Sequence, residues 1–240
     1  MNIRLLFSAA LAASVLSGCN FVRFDGKALS DLGLSFDSMA AESVVTASSD
    51  YVTKSFNVAD FDGITSNAPC EVVYTMGATS VTVEAPDNVI ENLMVYTEDR
   101  TLNIQFDKVR IRNLKHIKVM VSSRTLQRLN ANGTLEFSAP DGIGAEDFEA
   151  KVNGVADIDI DGLVARTVKV GVNGTADAVI HGLECDSVTV QINGAGDCEI
   201  SGRAGYGDFT VNGAGSIDIR RLNLDKIDSV IRGAGCISRK

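Results

Sequence analysis

Acidic side chains recur at one position in the C-terminal half of the chain, three residues after a glycine that itself returns about every twenty residues. Carboxylates are ligands that Ca²⁺ prefers in proteins, at oxygen distances of about 2.3–2.6 Å. Asp157, Asp177 and Asp197 are therefore candidate Ca²⁺ ligands, assisted by corner carbonyls and by neighbouring Asn side chains. The alternative is structural: each Asp accepts hydrogen bonds from backbone N–H groups of its own corner. The recurring position is occupied in chain order by Glu136, Asp157, Asp177, Asp197, Ser216 and Cys236.

Paired carboxylates also raise the possibility of polysaccharide cleavage by a hydrolase or lyase. Glycoside hydrolysis needs two carboxyl groups about 5–9 Å apart, one of them set apart as an acid. The chain has no Trp and only 6% aromatic residues, which leaves little for sugar stacking. An acid that repeats with the fold is typical of a structural feature, and no G-x-S-x-G nucleophile motif is present. We therefore expect a protein that is not an enzyme, with a carbohydrate-active enzyme as the alternative.

The glycine repeat defines the element that must position these acids. The successive gaps are 21, 20, 20, 19 and 20 residues, and a fixed period of this size is typical of a solenoid. Each glycine follows an apolar residue and, in all but the last case, an Asn. The repeating glycines are Gly133, Gly154, Gly174, Gly194, Gly213 and Gly233.

Apolar residues alternate with polar ones on both sides of each glycine, which is the period of a strand with one buried face. The position six after the glycine, for example, is occupied by Ile160, Ile180, Ile200 and Ile219 in four successive coils. Cys198 falls in a second such column and is expected to be a small core residue. The pattern predicts an all-β protein, a right-handed parallel β-helix with coils of about 20 residues.

The Asn-Gly pairs are expected to form the sharp corners of the coils. Glycine adopts positive φ at little cost, and Asn tolerates the left-handed region. Stacked Asn side chains could also hydrogen-bond along the axis as an amide ladder. A hairpin would not require one register across successive copies. The predicted turn ladder consists of Asn153, Gly154, Asn173, Gly174, Asn193, Gly194, Asn212 and Gly213.

The N-terminus has the features of an exported lipoprotein. Arg4 precedes an apolar run from residue 5 to residue 16, which is too short to span a bilayer. The run ends in Leu16-Ser17-Gly18-Cys19, which resembles a bacterial lipobox with Cys19 as the lipidated residue. Lipid chains on Cys19 would anchor the protein to the outer membrane, at the cell surface or on the periplasmic face. A net charge of −9 argues against nucleic-acid partners.

The pattern divides the chain into three parts: a lipoprotein signal peptide at 1–18, a tether at 19–50 and a β-helix domain at 51–240. Within that domain, 51–128 is expected to form irregular coils and 129–236 the regular Asn-Gly repeats. No two of the four later cysteines are placed to stack in adjacent coils, so no structural disulfide is expected.

Several short segments, and the order in which they follow one another along the chain, resemble those of one bacterial family. They are Ser55–Ile64, Val81–Pro86, Asn92–Phe106 and the Asn-Gly-Ala-Gly-Asp repeats. The chain resembles the Bacteroidetes lipoproteins called "putative auto-transporter adhesin, head GIN domain". The resemblance implies a β-helical lipoprotein at the surface or in the periplasm, and it brings no catalytic residues.

The expected function is accordingly that of a non-enzymatic cell-envelope lipoprotein. It would act as an adhesin or as a glycan- or protein-binding module, with no cofactor unless Ca²⁺ binds. A Ca²⁺-stabilised structural periplasmic protein is a further alternative.

Overall fold

The computed structural model describes residues 43–239. The predicted signal peptide, Cys19 and most of the predicted tether lie outside these residues. Within residues 43–239, nearly all regular structure is β-strand, with one short helix, α1 (Asp87–Ile90). None of the helical structure in residues 43–239 is long and apolar enough to cross a membrane. The strands of the N-terminal part are β1 (Ser43–Thr46), β2 (Tyr51–Phe56), β3 (Gly63–Ser66), β4 (Cys70–Met76), β5 (Ser80–Pro86), β6 (Leu93–Glu98), β7 (Thr101–Phe106), β8 (Val109–Arg112) and β9 (Lys118–Ser123).

The C-terminal part consists of stacked parallel strands whose partners lie one repeat away. Asp157, for example, is in register with Glu136 on one side and with Asp177 on the other. The coils form a β-solenoid of about 6 turns, so the predicted all-β fold of stacked parallel coils is confirmed. The strands are β10 (Arg128–Ala131), β11 (Thr134–Ala139), β12 (Ile143–Gly144), β13 (Asp147–Val152), β14 (Val155–Val164), β15 (Thr167–Val172), β16 (Thr175–Ile192), β17 (Ala195–Val211), β18 (Ala214–Ile231) and β19 (Cys236–Ser238).

The solenoid core consists of the apolar columns that the alternation predicts. Ile160, Ile180 and Ile200 stack in register and are buried. Cys198 is likewise buried, in the column between Ala178 and Ile217. A column of like side chains packs well because each strand repeats the geometry of the strand below it.

The N-terminal part does not stack its strands in chain order. The coil formed by β3 and β4 lies between β7 and β9 on one side and β10 and β11 on the other. The strand pairs β2–β5, β5–β9 and β6–β7 are antiparallel. This differs from the expected succession of irregular coils over 51–128. Alternation shows that a strand has one buried face, but it does not show which strand lies beside it or in which direction that strand runs.

A two-residue turn and an ion cluster around the buried Asp62 carboxylate stabilise this arrangement. Asp99 and Arg100 have φ values of 46° and 58°, and both join β6 to β7 as a hairpin. Asp62 is buried and accepts from the Arg100 guanidinium at 2.8 Å and from that of Arg128 at 2.5 Å. Since Arg128 begins the first regular coil, Asp62 connects the two parts of the structure.

Candidate interaction surface

The solenoid has two outer walls of different character. The acidic wall comprises the outward side chains of the strands that follow each Asn-Gly corner, such as Glu136, Asp157 and Asp177. The groove wall comprises the outward side chains of the strands that precede the corner, such as Glu149 and Lys169. Side chains alternate across each strand, so every coil contributes to both walls while its apolar residues fill the core.

The recurring acids of the acidic wall form a column, in which Asp177 and Asp197 each accept hydrogen bonds from the next coil. The Asp177 carboxylate accepts from the backbone N–H of Asp197 at 3.1 Å. The Asp197 carboxylate accepts from the backbone N–H of Ser216 at 3.0 Å and from its hydroxyl at 2.6 Å. The donors therefore belong to the next coil. The structural alternative expected them to belong to the corner that contains the Asp itself. Hydrogen bonds to N–H groups offset the repulsion between stacked carboxylates.

The predicted Asn corners lie directly above one another. The side-chain N–H group of Asn173 donates to the side-chain oxygen Oδ1 of Asn153 at 3.0 Å. Asn193 donates in the same way to Asn173 at 2.9 Å. Asn212 continues the row by donating to Asn193 at 2.8 Å. At the other end Asn153 donates to Asn132, which in turn donates to Asn67. Asn67 escapes sequence reasoning because Ala68 follows it where the repeat has a glycine.

Four of the corner glycines are required for close approach and not for positive φ. None of Gly154, Gly174, Gly194 and Gly213 has a left-handed φ, in contrast to the expectation from the Asn-Gly pairs. A Cβ at Gly174 would instead lie 2.0 Å from the carbonyl oxygen of Gly154. The coils stack so tightly at this corner that a side-chain carbon has no room.

A depression of about 490 Å³ lies on the groove wall and crosses four consecutive coils. Its cations and acids are partly paired: the Arg166 guanidinium contacts Asp147 at 2.8 Å, and the Thr167 hydroxyl donates to Asp147 at 2.5 Å. The hydrogen bond from Thr167, aided by the charge of Arg166, lowers the pKa of the Asp147 carboxyl. Its polar lining residues are Gln127, Arg128, Asp147, Glu149, Arg166, Thr167, Lys169, Ser187 and Thr189.

Sequence reasoning missed this groove because its side chains change from coil to coil. One outward position is occupied in register by Arg128, Glu149, Lys169, Thr189 and Asp208. At its recurring position, by contrast, the acidic wall has an acidic residue in four successive coils. In a solenoid the variable outward positions are those that stacking leaves free, and that variation is the signal that could have identified the groove.

The remaining reactive groups are distributed over the structure. His116 stacks on Tyr51 with ring centroids 5.0 Å apart, and His181 lies beside Asp161 on the acidic wall. The four described cysteines are free thiols, with Cys236 exposed and Cys198 buried. Burial raises the pKa of the Cys198 thiol to about 12.

Comparison with known proteins places this architecture in a family. The family model described as "Putative auto-transporter adhesin, head GIN domain" matches residues 60–183 and again residues 156–238. The chain belongs to this family. Two matches that overlap at 156–183 are consistent with a repeated unit. The resemblance seen in the sequence is thereby confirmed. No curated protein matches the chain.

Solved structures with a similar fold come from Bacteroides and Parabacteroides species. A putative adhesin from Parabacteroides distasonis has a TM-score of 0.76 at 21% identity, over 81% of this chain and 83% of its own. A putative adhesin from Bacteroides fragilis has a TM-score of 0.63 at 23% identity, over 82% of this chain and 100% of its own. A putative lipid binding protein from Parabacteroides distasonis has a TM-score of 0.53 at 17% identity, over 82% and 99%. At these identities the likeness shows the fold.

Proposed function

We propose that this protein is a non-enzymatic lipoprotein of the cell envelope whose groove wall binds a glycan or protein at the cell surface. Three observations support the proposal: the lipobox at Cys19, the membership in an adhesin-type family and the groove that crosses four coils. The groove carries the proposal because it is an open polar surface built on rigid strands.

The chemistry of the groove suits an extended polar ligand. Hydroxyls of Thr167, Ser187 and Thr189 alternate with the ammonium group of Lys169 and with carboxylates, and these groups can exchange hydrogen bonds with sugar hydroxyls or peptide groups. The row that contains Thr167 and Ser187 continues to Tyr206, which is partly exposed. An aromatic ring beside hydroxyls is a typical binding element for polar ligands with an apolar face.

The charges in the groove favour binding over catalysis. A glycosidase needs one carboxyl group whose pKa is raised so that it can donate a proton. The pKa of Asp147 is shifted in the opposite direction by Thr167 and Arg166. Glu149 forms an ion pair with Lys151 at 2.9 Å. The Asp147 carboxylate is thus stabilised in the charged form, which suits recognition of polar groups.

Lipidation of Cys19 would hold the solenoid at the outer membrane. The residues between Cys19 and the first strand would then separate the rigid domain from the bilayer, so that the groove wall stays accessible. A lipid anchor leaves the walls of the solenoid free because it acts only at the N-terminus of the mature chain.

Binding of the purified mature protein to glycan and matrix-protein arrays tests the proposal. Lys169→Ala and Thr189→Ala, both in the groove, are expected to weaken capture of the best ligand by about tenfold each. Asp157→Asn on the acidic wall serves as the matched control and should leave binding unchanged. If the control loses binding as strongly as the groove variants, the groove wall is not the binding surface. If no array component binds, the binding function is contradicted.

A further inference from the structure

Three side chains of types that commonly bind metal ions lie close together on the acidic wall, beside the recurring Asp column. Asp159 and Asp161 lie two residues apart on β14 and therefore point to the same side. His181 on β16 is in register with Asp161. One ligand atom from each of the three residues lies within 4.8 Å of the others. A single ion at ordinary coordination distances can reach all three after small side-chain rotations.

The imidazole of His181 is held in place by a residue of the next coil. Its Nδ1 lies 3.3 Å from the hydroxyl oxygen of Ser201. A hydrogen bond to one ring nitrogen orients the ring and leaves the other nitrogen for an ion, an arrangement that metal-binding histidines commonly have. His181 is only partly exposed, so its ring has less freedom than a surface histidine.

Within the part of the chain that the structure describes, Asp159 and Asp161 lack the cationic partner that several other acids of the solenoid have. Glu71 pairs with Lys118, Glu199 pairs with Arg221, and Asp218 pairs with Arg220. Across residues 43–239, neither Asp159 nor Asp161 has a side-chain hydrogen bond or an ion pair. Two unneutralised carboxylates beside an imidazole leave a local negative charge that a divalent cation would compensate.

We propose that Asp159, Asp161 and His181 bind one divalent transition-metal ion, with Zn²⁺ as the ion that this ligand set favours. One imidazole nitrogen and two carboxylate oxygens form a mixed set that suits Zn²⁺, whereas Ca²⁺ takes six to eight oxygen ligands. Three protein ligands leave at least one coordination position open. Because the site lies on an outer wall, a carboxylate or hydroxyl of a binding partner can occupy that position.

The site is distinct from the column of Asp157, Asp177 and Asp197, which the sequence indicated for Ca²⁺. Asp157 precedes Asp159 by two residues on the same strand and faces the same wall, so it provides a matched control. His116 provides a second control because its ring stacks on Tyr51 elsewhere in the structure. The exposed thiol of Cys236 is a competing Zn²⁺ ligand, and Cys236→Ser controls for it.

The experiment is a Zn²⁺ titration of the mature protein in competition with a chromogenic chelator, after removal of metal with EDTA. We expect one equivalent of Zn²⁺ to bind, and affinity to fall at least about tenfold in Asp159→Asn, Asp161→Asn and His181→Asn. Ser201→Ala should weaken binding by about tenfold, because the ring loses its orienting partner. Asp157→Asn, His116→Asn and Cys236→Ser should bind as the parent does.

Each other result overturns the proposal. A parent protein that binds no stoichiometric Zn²⁺, or a His181→Asn variant that binds as tightly as the parent, removes the site. If Asp157→Asn lowers the Zn²⁺ affinity as much as the three site variants do, the ion binds at the recurring column and not at the proposed site. Anomalous diffraction at the zinc edge gives an independent answer, since the peak must lie between the three side chains and not at Cys236. The substituted side chains are exposed or partly exposed, so thermal melts without metal should match the parent.

Discussion

The regular coils and the N-terminal part of this molecule use different means to form one continuous structure. The regular coils repeat a few contacts, such as the Asn ladder and the close packing at the corner glycines. The N-terminal part relies on contacts that occur once, such as the ion cluster of Asp62 and the hydrogen bond from the Tyr74 hydroxyl to the Ser123 carbonyl. Repetition suits extension along an axis, whereas single contacts suit an end that must stop further stacking.

The same contrast holds between the two walls of the regular coils. The acidic wall repeats Asp in three successive coils, and two of these residues, Asp177 and Asp197, accept hydrogen bonds from the next coil. The groove wall changes from Glu149 to Lys169 to Thr189 at one position, which stacking alone does not require. Positions that repeat therefore report on the fold, and positions that vary indicate where a ligand binds.

The largest effect is expected at a corner of the regular coils. In Gly174→Ala the new Cβ would lie 2.0 Å from the carbonyl oxygen of Gly154, so the coils must separate. We expect a loss of about 4 kcal/mol or more in the free energy of unfolding, measured by urea denaturation. Gly171→Ala is the control, since a Cβ there meets nothing within 4 Å. Equal stability of the two variants would show that corner packing is not required.

The next effect tests the single contacts of the N-terminal part. Asp62→Ala removes a buried carboxylate that accepts from Arg100 and Arg128. Both guanidinium groups are partly exposed and can regain water, so we expect a loss of about 2 kcal/mol. Thermal melts should show a smaller shift for Asp218→Ala, whose ion pair with Arg220 is more exposed. If Asp62→Ala leaves the melting temperature unchanged, the cluster does not hold the two parts together.

A smaller effect is expected in the amide ladder. Asn173→Ala removes one hydrogen bond to Asn153 and one from Asn193. Because the row is exposed to water, we expect a loss of about 1 kcal/mol by urea denaturation. Asn223→Ala is the control, since the Asn223 side chain is exposed and forms no hydrogen bond with residues 43–239. If both variants match the parent, the ladder contributes no stability.

The smallest effect is expected in the alkylation rates of the cysteine thiols, which can be compared without any substitution. Burial raises the pKa of Cys198 to about 12 and that of Cys70 to about 11, so both stay protonated and covered at pH 8. Cys236 is exposed. Alkylation of the folded protein, followed by peptide mapping, should modify Cys236 well before the other two. Alkylation of Cys198 at the same rate as Cys236 would contradict its placement in a buried column of the core.

The sequence predicts the regular coils well because their two periods are both visible in it. Alternation places Ile160 and Ile180 inside, and the glycine spacing places them in register. The N-terminal order was not predictable, since the hairpin at Asp99 and Arg100 lacks a glycine and alternation does not identify the neighbouring strand. The groove also escaped prediction, because its side chains change from coil to coil and only the repeating positions were used to identify candidate sites.

Labelling of intact cells tests the central claim that the solenoid faces outward from a lipid anchor. A membrane-impermeant maleimide should modify Cys236, and the tryptic peptide of residues 233–239 reports the modification by mass spectrometry. The surface lipoprotein account predicts equal labelling in intact and detergent-opened cells. Labelling that occurs only after the outer membrane is opened would contradict it and would place the protein in the periplasm.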